Sequence, residues 1–581
     1  MIIRLSEIIN NQAIINLGVI GHVSHGKSSL VRSLTGIKTQ KHSSEKERNI
    51  TINIGYANAK IYQNSEGKYF TAPSDKDNLL NDDGTPMKLV SNISFVDTPG
   101  HEAFMGNMIS GSAVMDCSIL VIASNEHIPQ PQTFDHYEAV KSIDIKDFLI
   151  LQNKCDLIKK EENDKVLKKI KSFVKDTVAE NANIIPSSIQ NSINKQEILK
   201  NIVNMSKLKN LNDNINEDTF MIVIRSFDIN RQNSDWSTLK GGVVGGSLLC
   251  GNLKVGDYVE LRPGFIIGDK YRPIYSKIKS LKSDAKELKY IFPGGLVGVC
   301  LDLDPSLCKN NFMVGQVLGN IGKLPSVYNE IDITFEELKR HDNKYEDFKK
   351  DELISLNINA MSIDGKILKC KKNNLKIKLL KPVCIRENQK LSLFKNRITG
   401  KYLYATGLFK GGVECKKDDS EDEVLKSLNI KERDVIEIEN DIIYENNRYE
   451  SYEELLNNVK FKSDTNKLKL NPPVIKKVNR DIIYSNYLDL LNKINKNAED
   501  IKYDNYLIEF IKTELSTTCE KNKDGLIMRG NFKKNHFESI ILKFVSKYVT
   551  CPTCKACNSK LIRNNRNLYK KCIECGSEFC I

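Results

Sequence analysis

The chain contains no run of about 18 apolar residues, which excludes a membrane-spanning helix and leaves no membrane partner to expect. Its opening stretch, MIIRLSEIINNQ, lacks the basic segment and small-residue cleavage site of an export signal, so the expected location is cytoplasmic. Residues 416–470 hold hardly any glycine or proline, which argues against a tightly turned domain there. That stretch reads as a linker with one or two helices, notably over Tyr452–Val459. It also has no block of lysines, and residues 61–92 have no cysteine.

At 581 residues the chain is too long for a single core, and at roughly 100–200 residues per domain it divides into several. Hydrophobic residues make up 40% and charged residues 28%, an ordinary balance for soluble globular protein. The net charge is +13, and residues 471–581 carry more than half of it, with 20 Lys+Arg against 12 Asp+Glu. Such clustering suits a phosphate backbone, and it suits a solvated basic face equally well. Of the 15 cysteines, nine are scattered from Cys117 to Cys519 and six crowd into residues 551–580. Scatter points to reduced core thiols and crowding points to a metal.

IINLGVIG at residues 14–21 reads as a buried strand entering a glycine-bounded loop, and KSSLVRSLTG as a short helix closed by Gly36. Further apolar runs at 93–97, 117–124, 147–153 and 182–186 alternate with helical stretches, the pattern of a parallel sheet with crossover helices. From about 216 the pattern becomes short β-branched runs punctuated by glycine, which predicts β-barrels. The expected order is a P-loop α/β domain over 1–210, two β-barrels over 216–325 and 326–415, the linker over 416–470, a small α/β domain over 471–548 and a zinc ribbon over 549–581.

GHVSHGKS at 21–28 fits a phosphate-binding loop. Backbone N–H groups wrap the phosphates, Lys27 reaches the β/γ oxygens and the Ser28 hydroxyl ligates Mg²⁺. The expected contacts in this loop are Gly21, His25, Gly26, Lys27, Ser28 and Ser29, with the rings of His22 and His25 read as packing. Downstream, Thr51 in ERNITI closes over the γ-phosphate and Mg²⁺, Asp97 in DTPGH holds the metal, and Gly100 gives a backbone N–H to the γ-phosphate. Asn153 and Asp156 in NKCD suit the guanine edge and select GTP and GDP over adenine nucleotides. Ser188 completes that pocket through its backbone, although Ile189 follows where a small residue is usual. His101 is the candidate for orienting the attacking water, with Lys27 and Gly100 supplying charge and backbone stabilisation.

These segments, with NIGYANAKIY, LKGGVVGGSLLCGNLKVGDYVELRPG and MVGQVLGNIG, resemble the gamma subunit of translation initiation factor two over residues 12–415. The resemblance implies a GTPase that carries methionylated initiator tRNA to the small ribosomal subunit, binds an alpha subunit on its middle barrel, and uses Lys154 beside Asn153 and Asp156 at the nucleotide. Members of that family commonly carry a cysteine zinc knuckle after GYANAKIY, which the cysteine-free 61–92 stretch lacks.

At the far end, C-x-x-C, 17 residues and C-x-x-C place Cys551, Cys554, Cys572 and Cys575 as Zn²⁺ ligands, with Cys557 and Cys580 off the spacing. Lys560, Arg563, Arg566, Tyr569, Lys570 and Lys571 between the pairs form a basic loop able to touch RNA. Residues 449–581 resemble the C-terminal part of the beta subunit of the same factor. The lysine-block tail by which that subunit recruits the GTPase activator and exchange factor is missing, and no helix that docks beta on gamma is legible. Two other readings remain: a decoy that sequesters tRNA or partner subunits, and an elongation-type or selenocysteine-specific carrier, which shares GHV…HGK and DTPGH.

Overall fold

The computed structural model describes all residues other than 41–44, 46–50, 52, 102–103, 142–144, 146, 231–238, 339–346, 398–399, 419–434, 443, 445–448, 460, 462–469, 479–480, 496–502, 523–524, 531, 533, 553–555, 565–566 and 574–576. Cys554, Cys575 and Arg566 of the predicted ribbon therefore lie outside the described residues. The chain falls into two compact units, residues 1–40, 51–155 and 160–459 forming the first and 460–581 the body of the second.

The first unit begins with β1 (Ile2–Arg4), α1 (Leu5–Asn11), β2 (Ile15–Ile20) and α2 (Lys27–Thr35). The nucleotide-type domain continues through β3 (Gly55–Gln63), β4 (Tyr69–Pro73), β5 (Lys88–Asp97), α3 (Met105–Ser112), β6 (Cys117–Ala123), α4 (Pro131–Lys141), β7 (Phe148–Asn153), α5 (Lys160–Val174), β8 (Asn183–Pro186) and α6 (Lys195–Leu208). Its seven-stranded sheet runs β4-β3-β5-β2-β6-β7-β8. The five strands from β5 to β8 in that order are parallel, while β3 and β4 add an antiparallel edge. Each of β2, β6 and β7 is buried along its whole length, as expected of apolar runs covered on both faces by helices. Gly36, at φ +74°, ends α2 with its N–H on Arg32 O, a left-handed cap that any side chain would strain.

Two six-stranded barrels follow. The first closes through Tyr258–Ile267, Val317–Asn320, Phe220–Phe227, Val243–Cys250, Val297–Leu301 and Lys270–Ser283, with the last pairing back to the first. The second closes Val327–Glu337, Asn374–Cys384, Met361–Lys371, Leu353–Ile358, Lys390–Arg397 and Gly400–Glu414. Alternation fills their interiors: Ile331, Ile333 and Phe335 on one strand all enter the second barrel's core. In the first barrel a Cβ on Gly246 would meet Ile222 O at 1.9 Å, so the glycine-rich run permits a backbone approach that a side chain forbids.

The cysteine-free excursion after β3 is secured by charge. Asp77 accepts from Lys60 Nζ at 2.5 Å and Lys286 Nζ at 2.7 Å, and Asp284 accepts from Asn58 Nδ2 at 2.7 Å and Ser74 Oγ at 2.5 Å. Lys60 and Asn58 belong to β3, while Asp284 and Lys286 belong to the first barrel. These bonds therefore stitch domain to barrel.

Residues 435–442 and 449–459, within the stretch expected to be linker, pack on the first domain. Strand Glu437–Glu439 pairs in parallel with β1, and Ile436 N and Ile438 N donate to the side chains of Asn216 and Asn212. Helix α7 (Tyr452–Asn457) starts in a capping box between Ser451 and Glu454, and it buries Leu455 and Leu456. Leu455 joins the core of the nucleotide-type domain. The helix expected over Tyr452–Val459 is thus present at Tyr452–Asn457, and what the sequence did not show is that it docks on this domain.

In the second unit, a four-stranded antiparallel sheet (475–478, 481–484, 525–529, 519–522) packs with α8 (Tyr487–Asn495), α9 (Asp504–Leu515) and α10 (Lys534–Phe544) around Tyr484, Tyr487, Leu507, Phe537 and Phe544. A three-stranded sheet (559–564, 567–572, 578–580) follows. Lys570, 3% exposed, crosses from this sheet to donate to the carbonyls of Ser546, Lys547 and Thr550 at 3.1, 2.6 and 2.8 Å. It caps the carbonyl end of the helical run from α10, a place where a cation is favoured. Tyr503 OH adds a bond to Ser559 O at 2.8 Å, and Cys557 sits in the α/β core. Lys570 is therefore unavailable to RNA, contrary to the basic-loop expectation, and Lys571 pairs with Glu578 at 2.9 Å.

Candidate nucleotide-binding site

The loop between β2 and α2 is shaped by two glycines whose φ values, +136° at Gly21 and +106° at Gly26, L side chains rarely adopt. A Cβ on Gly21 would also meet Val121 O at 2.3 Å, and one on Gly26 would meet Asn153 Nδ2 at 2.4 Å. Gly26 caps the N-terminus of α2, so the first N–H groups of that helix open onto the loop. Lys27 Nζ donates to Gly21 O and His22 O, each at 2.8 Å. Burial lowers the Lys27 ammonium to about pKa 8, partly opposed by Asp97. Ser29 lies in the first turn of α2 with its side chain exposed.

Ser28 Oγ and Thr51 Oγ1 meet at 3.0 Å, and Asp97, buried at the end of β5, accepts from Thr39 Oγ1 at 2.6 Å. Thr98 Oγ1 donates to Val19 O at 2.7 Å, which anchors the turn after β5 on β2. A Cβ on Gly100 would meet Lys27 Nζ at 2.4 Å and Val23 N at 3.0 Å, so the turn and the loop close on each other with room for a hydrogen atom alone. His101 lies next in the chain, exposed, with its ring centroid 5.9 Å from that of Phe104. The structure thus brings Lys27, Ser28, Thr51, Asp97 and Gly100 together and leaves His101 at the rim.

Asn153 ends β7 and ties the loops together. Its Nδ2 donates to His25 O at 2.8 Å and its Oδ1 accepts from Ile189 N at 3.1 Å. Lys154 follows at φ +59°, and Asp156, buried, lies in the single turn Cys155–Leu157. Ser188 is buried at the start of the turn Ile189–Asn191, and Ile189 occupies the domain core, which accounts for a large residue at that position. With one donor and one acceptor committed to loop closure, the carboxamide of Asn153 acts first as a clamp. That role was not legible in the sequence.

The histidines form a cluster under the loop. His25 is 1% exposed, with Nδ1 3.0 Å from Val121 O and Nε2 3.2 Å from Glu126 Oε2. His22, whose ring centroid is 5.2 Å from that of His25, is lowered to about pKa 4 by burial and then by the charge of His25. His136 is held well below its ordinary value by burial and takes a 3.4 Å contact from Gly21 N. Burial works to raise the Glu126 carboxyl, but bonding and attraction from His25, with Lys154 beyond, leave it below the usual carboxylate range. Sequence reasoning missed Thr39, Glu126 and His136, which carry no motif spacing.

Behind the base-side loops, Tyr452 OH of α7 donates to Gln152 Oε1 at 2.8 Å, and Asn194 Nδ2 bonds both Pro186 O at 2.7 Å and Leu455 O at 2.8 Å. In the ribbon, Cys551 and Cys572 are buried side by side with Ala556. Cys551 N donates to Ala556 O at 2.8 Å and Cys572 N to Ser577 O at 2.9 Å. Among the described residues no group of three or more metal-binding side chains occurs.

Residues 12–208 match the family model for the elongation factor Tu GTP binding domain, 330–404 that for initiation factor eIF2 gamma, C terminal, and 458–578 that for the domain found in initiation factors 2B and 5. Eukaryotic translation initiation factor 2 subunit 3 of Drosophila melanogaster is 43% identical over 413 residues, covering 67% of this chain and 86% of that protein. Eukaryotic translation initiation factor 2 subunit gamma of Schizosaccharomyces pombe is 41% identical over 411 residues, covering 66% and 91%. Among solved structures, a bacterial selenocysteine-specific elongation factor aligns at TM-score 0.54 and 19% identity over 92% of this chain and 84% of its own. Elongation factor SelB from Methanococcus maripaludis aligns at 0.51 and 18% over 69% and 80%. At these identities the two structures show the shared fold alone. The sequence relatives show more: the chain belongs to the gamma-subunit family of translation initiation factor 2, is an initiation GTPase, and extends into a segment of the kind found in initiation factors 2B and 5.

Proposed function

We propose that this GTPase binds methionylated initiator tRNA in its GTP state and delivers it to the small ribosomal subunit, with gamma and beta functions in one chain. The observation that carries the reading is α7. The segment leading to the beta-type region docks on the gamma-type domain through Tyr452 and Leu455, the latter meeting Asn194, so the beta-type unit is tethered directly to that domain.

In this reading Gly21, His25, Gly26, Lys27, Ser28 and Ser29 cradle the phosphates, Asn153 clamps the loops, and Lys154, Asp156 and Ser188 face guanine. Ser28, Thr51 and Asp97 hold Mg²⁺, which supplies neutralisation of the phosphate charge; the meeting of two hydroxyls at 3.0 Å fits that donor set. Lys27 and the Gly100 N–H stabilise charge at the γ-phosphate, and His101 moves in from the rim to orient water when the ribosome engages it. Cys551, Cys554, Cys572 and Cys575 would hold Zn²⁺, for which Cys551 and Cys572, buried in one cluster, are suited. An alpha subunit docks on the barrels, and the GTPase activator and exchange factor act without a lysine-block tail.

Filter retention of methionylated initiator and elongator tRNA, each with GTP and GDP, tests the reading. Retention of the initiator with GTP alone supports it. Equal retention in both nucleotide states favours a sequestering decoy, and retention of elongator tRNA favours a carrier of the elongation type. Metal analysis of the purified chain is expected to give one equivalent of zinc, and a zinc-free protein overturns the ligand assignment.

A further inference from the structure

We propose that Glu126 is a positioning residue that couples the phosphate loop to the guanine loop, by holding His25 on one carboxylate oxygen and Lys154 on the other. The inference rests on the nucleotide-site reading above and assigns a role to a residue outside its motifs. Glu126 stands three residues past β6, with its side chain 27% exposed. Oε2 lies 3.2 Å from His25 Nε2 and Oε1 lies 3.8 Å from Lys154 Nζ. His25 is the fifth residue of the phosphate loop and Lys154 the second of NKCD, so a single carboxylate touches both recognition elements.

Both arms are built. The His25 ring has a polar neighbour at each nitrogen, Val121 O on β6 at Nδ1 and the Glu126 carboxylate just after it at Nε2. The backbone of His25 is also fixed, its carbonyl accepting from Asn153 Nδ2. On the other arm Lys154 is 13% exposed and leaves the chain at a left-handed φ of +59°, a conformation that aims its side chain only if the local backbone is held. Asn153 joins the same two loops through the backbone. Glu126 joins them through side chains, so a shift of either loop is felt by the other through charge as well as shape.

Such coupling predicts non-additivity. Equilibrium dissociation constants for a fluorescent GDP are measured on the full chain for H25Q, K154M, H25Q/K154M, and the same three in an E126Q background. With Glu126 present, each single substitution already forfeits the coupling, so the double variant binds about fivefold more tightly than the product of the two losses predicts. In the E126Q background the losses multiply. Melting temperatures of the nucleotide-free variants stay at the wild-type value, which separates positioning from folding; if H25Q does not fold, H25N carries the same arm. Losses that multiply within about twofold while Glu126 is present overturn the bridge. Lys27→Met is run alongside. If it leaves GDP binding intact, the site assignment itself fails; if it abolishes binding while the other losses multiply, only the bridge fails.

Discussion

Replacing Leu455 and Leu456 together by alanine should free α7 from the GTPase domain while leaving that domain folded. Both leucines are almost fully buried, at 3% and 1% exposure, and Leu455 is part of the domain core. Each Leu→Ala change removes about 2–4 kcal/mol of transfer and packing energy at such sites. A combined loss of about 5 kcal/mol shifts the docking equilibrium by roughly 10³–10⁴, at 1.4 kcal/mol per tenfold. Hydrogen exchange read by peptide mass is the assay. The α7 amides that bond within the helix, Leu455 N to Ser451 O and Val459 N to Leu456 O, should lose protection, because six residues do not hold a helix in water without packing. Amides of Ile436 and Ile438 should keep theirs, since Asn216 and Asn212 hold them independently. Unchanged protection over 452–459 would refute the docking energetics, and loss over 436–438 as well would show that strand and helix open as one unit.

Four further outcomes are expected. In the free protein Lys27 titrates near pH 8 against an ordinary 10.5, so the unfolded chain holds the extra proton between those values; stability contributed by this site rises with pH across that window, by about 3 kcal/mol at most. GDP phosphates restore the proton, so calorimetry at pH 8.5 in buffers of different ionisation heat should report proton uptake, and equal heats would refute this. Lys570→Met strands three carbonyls at a helix end and should cost the second unit about 3 kcal/mol, seen as a lowered unfolding midpoint; an unchanged midpoint contradicts the cap. Gly100→Ala puts a methyl 2.4 Å from Lys27 Nζ and should weaken GTP more than GDP, so equal weakening in a binding titration argues against contact with the γ-phosphate. Breaking the Asp77 staple with Asp77→Asn should speed exchange of the β4 amides and leave GDP affinity alone, and a changed affinity would place the excursion in the site.

The GTPase architecture was legible because phosphate chemistry demands fixed residue types at fixed spacing, and buried parallel strands announce themselves as unbroken apolar runs such as CSILVIA. The barrels were legible as glycine-punctuated β-branched runs. What escaped depends on pairs brought together from distant positions. Glu126 and Thr39 matter through His25 and Asp97, and no local pattern marks them. The antiparallel edge β3-β4 was not read from the sequence, and neither was the contact by which Asp77, just beyond it, reaches Lys286 in the first barrel. Lys570 looked like one cation of a basic loop, since sequence does not reveal which lysine faces a helix end. The helix at Tyr452–Asn457 was legible, but its docking, and that of residues 435–442, was not, because asparagine side chains and one short helical turn hold them, features without extended hydrophobic periodicity.

The pairing of Ile2–Arg4 with Glu437–Glu439 also sets an order of events during synthesis. Met1 and Val435, which bond beside that pairing, are 434 residues apart, so at about 5–20 residues per second the first strand leaves the ribosome roughly 20–90 s before its partner exists. Only a polypeptide translated past residue 439 seats the strand Ile2–Arg4, and a product truncated before it carries that strand unpaired and open to proteolysis.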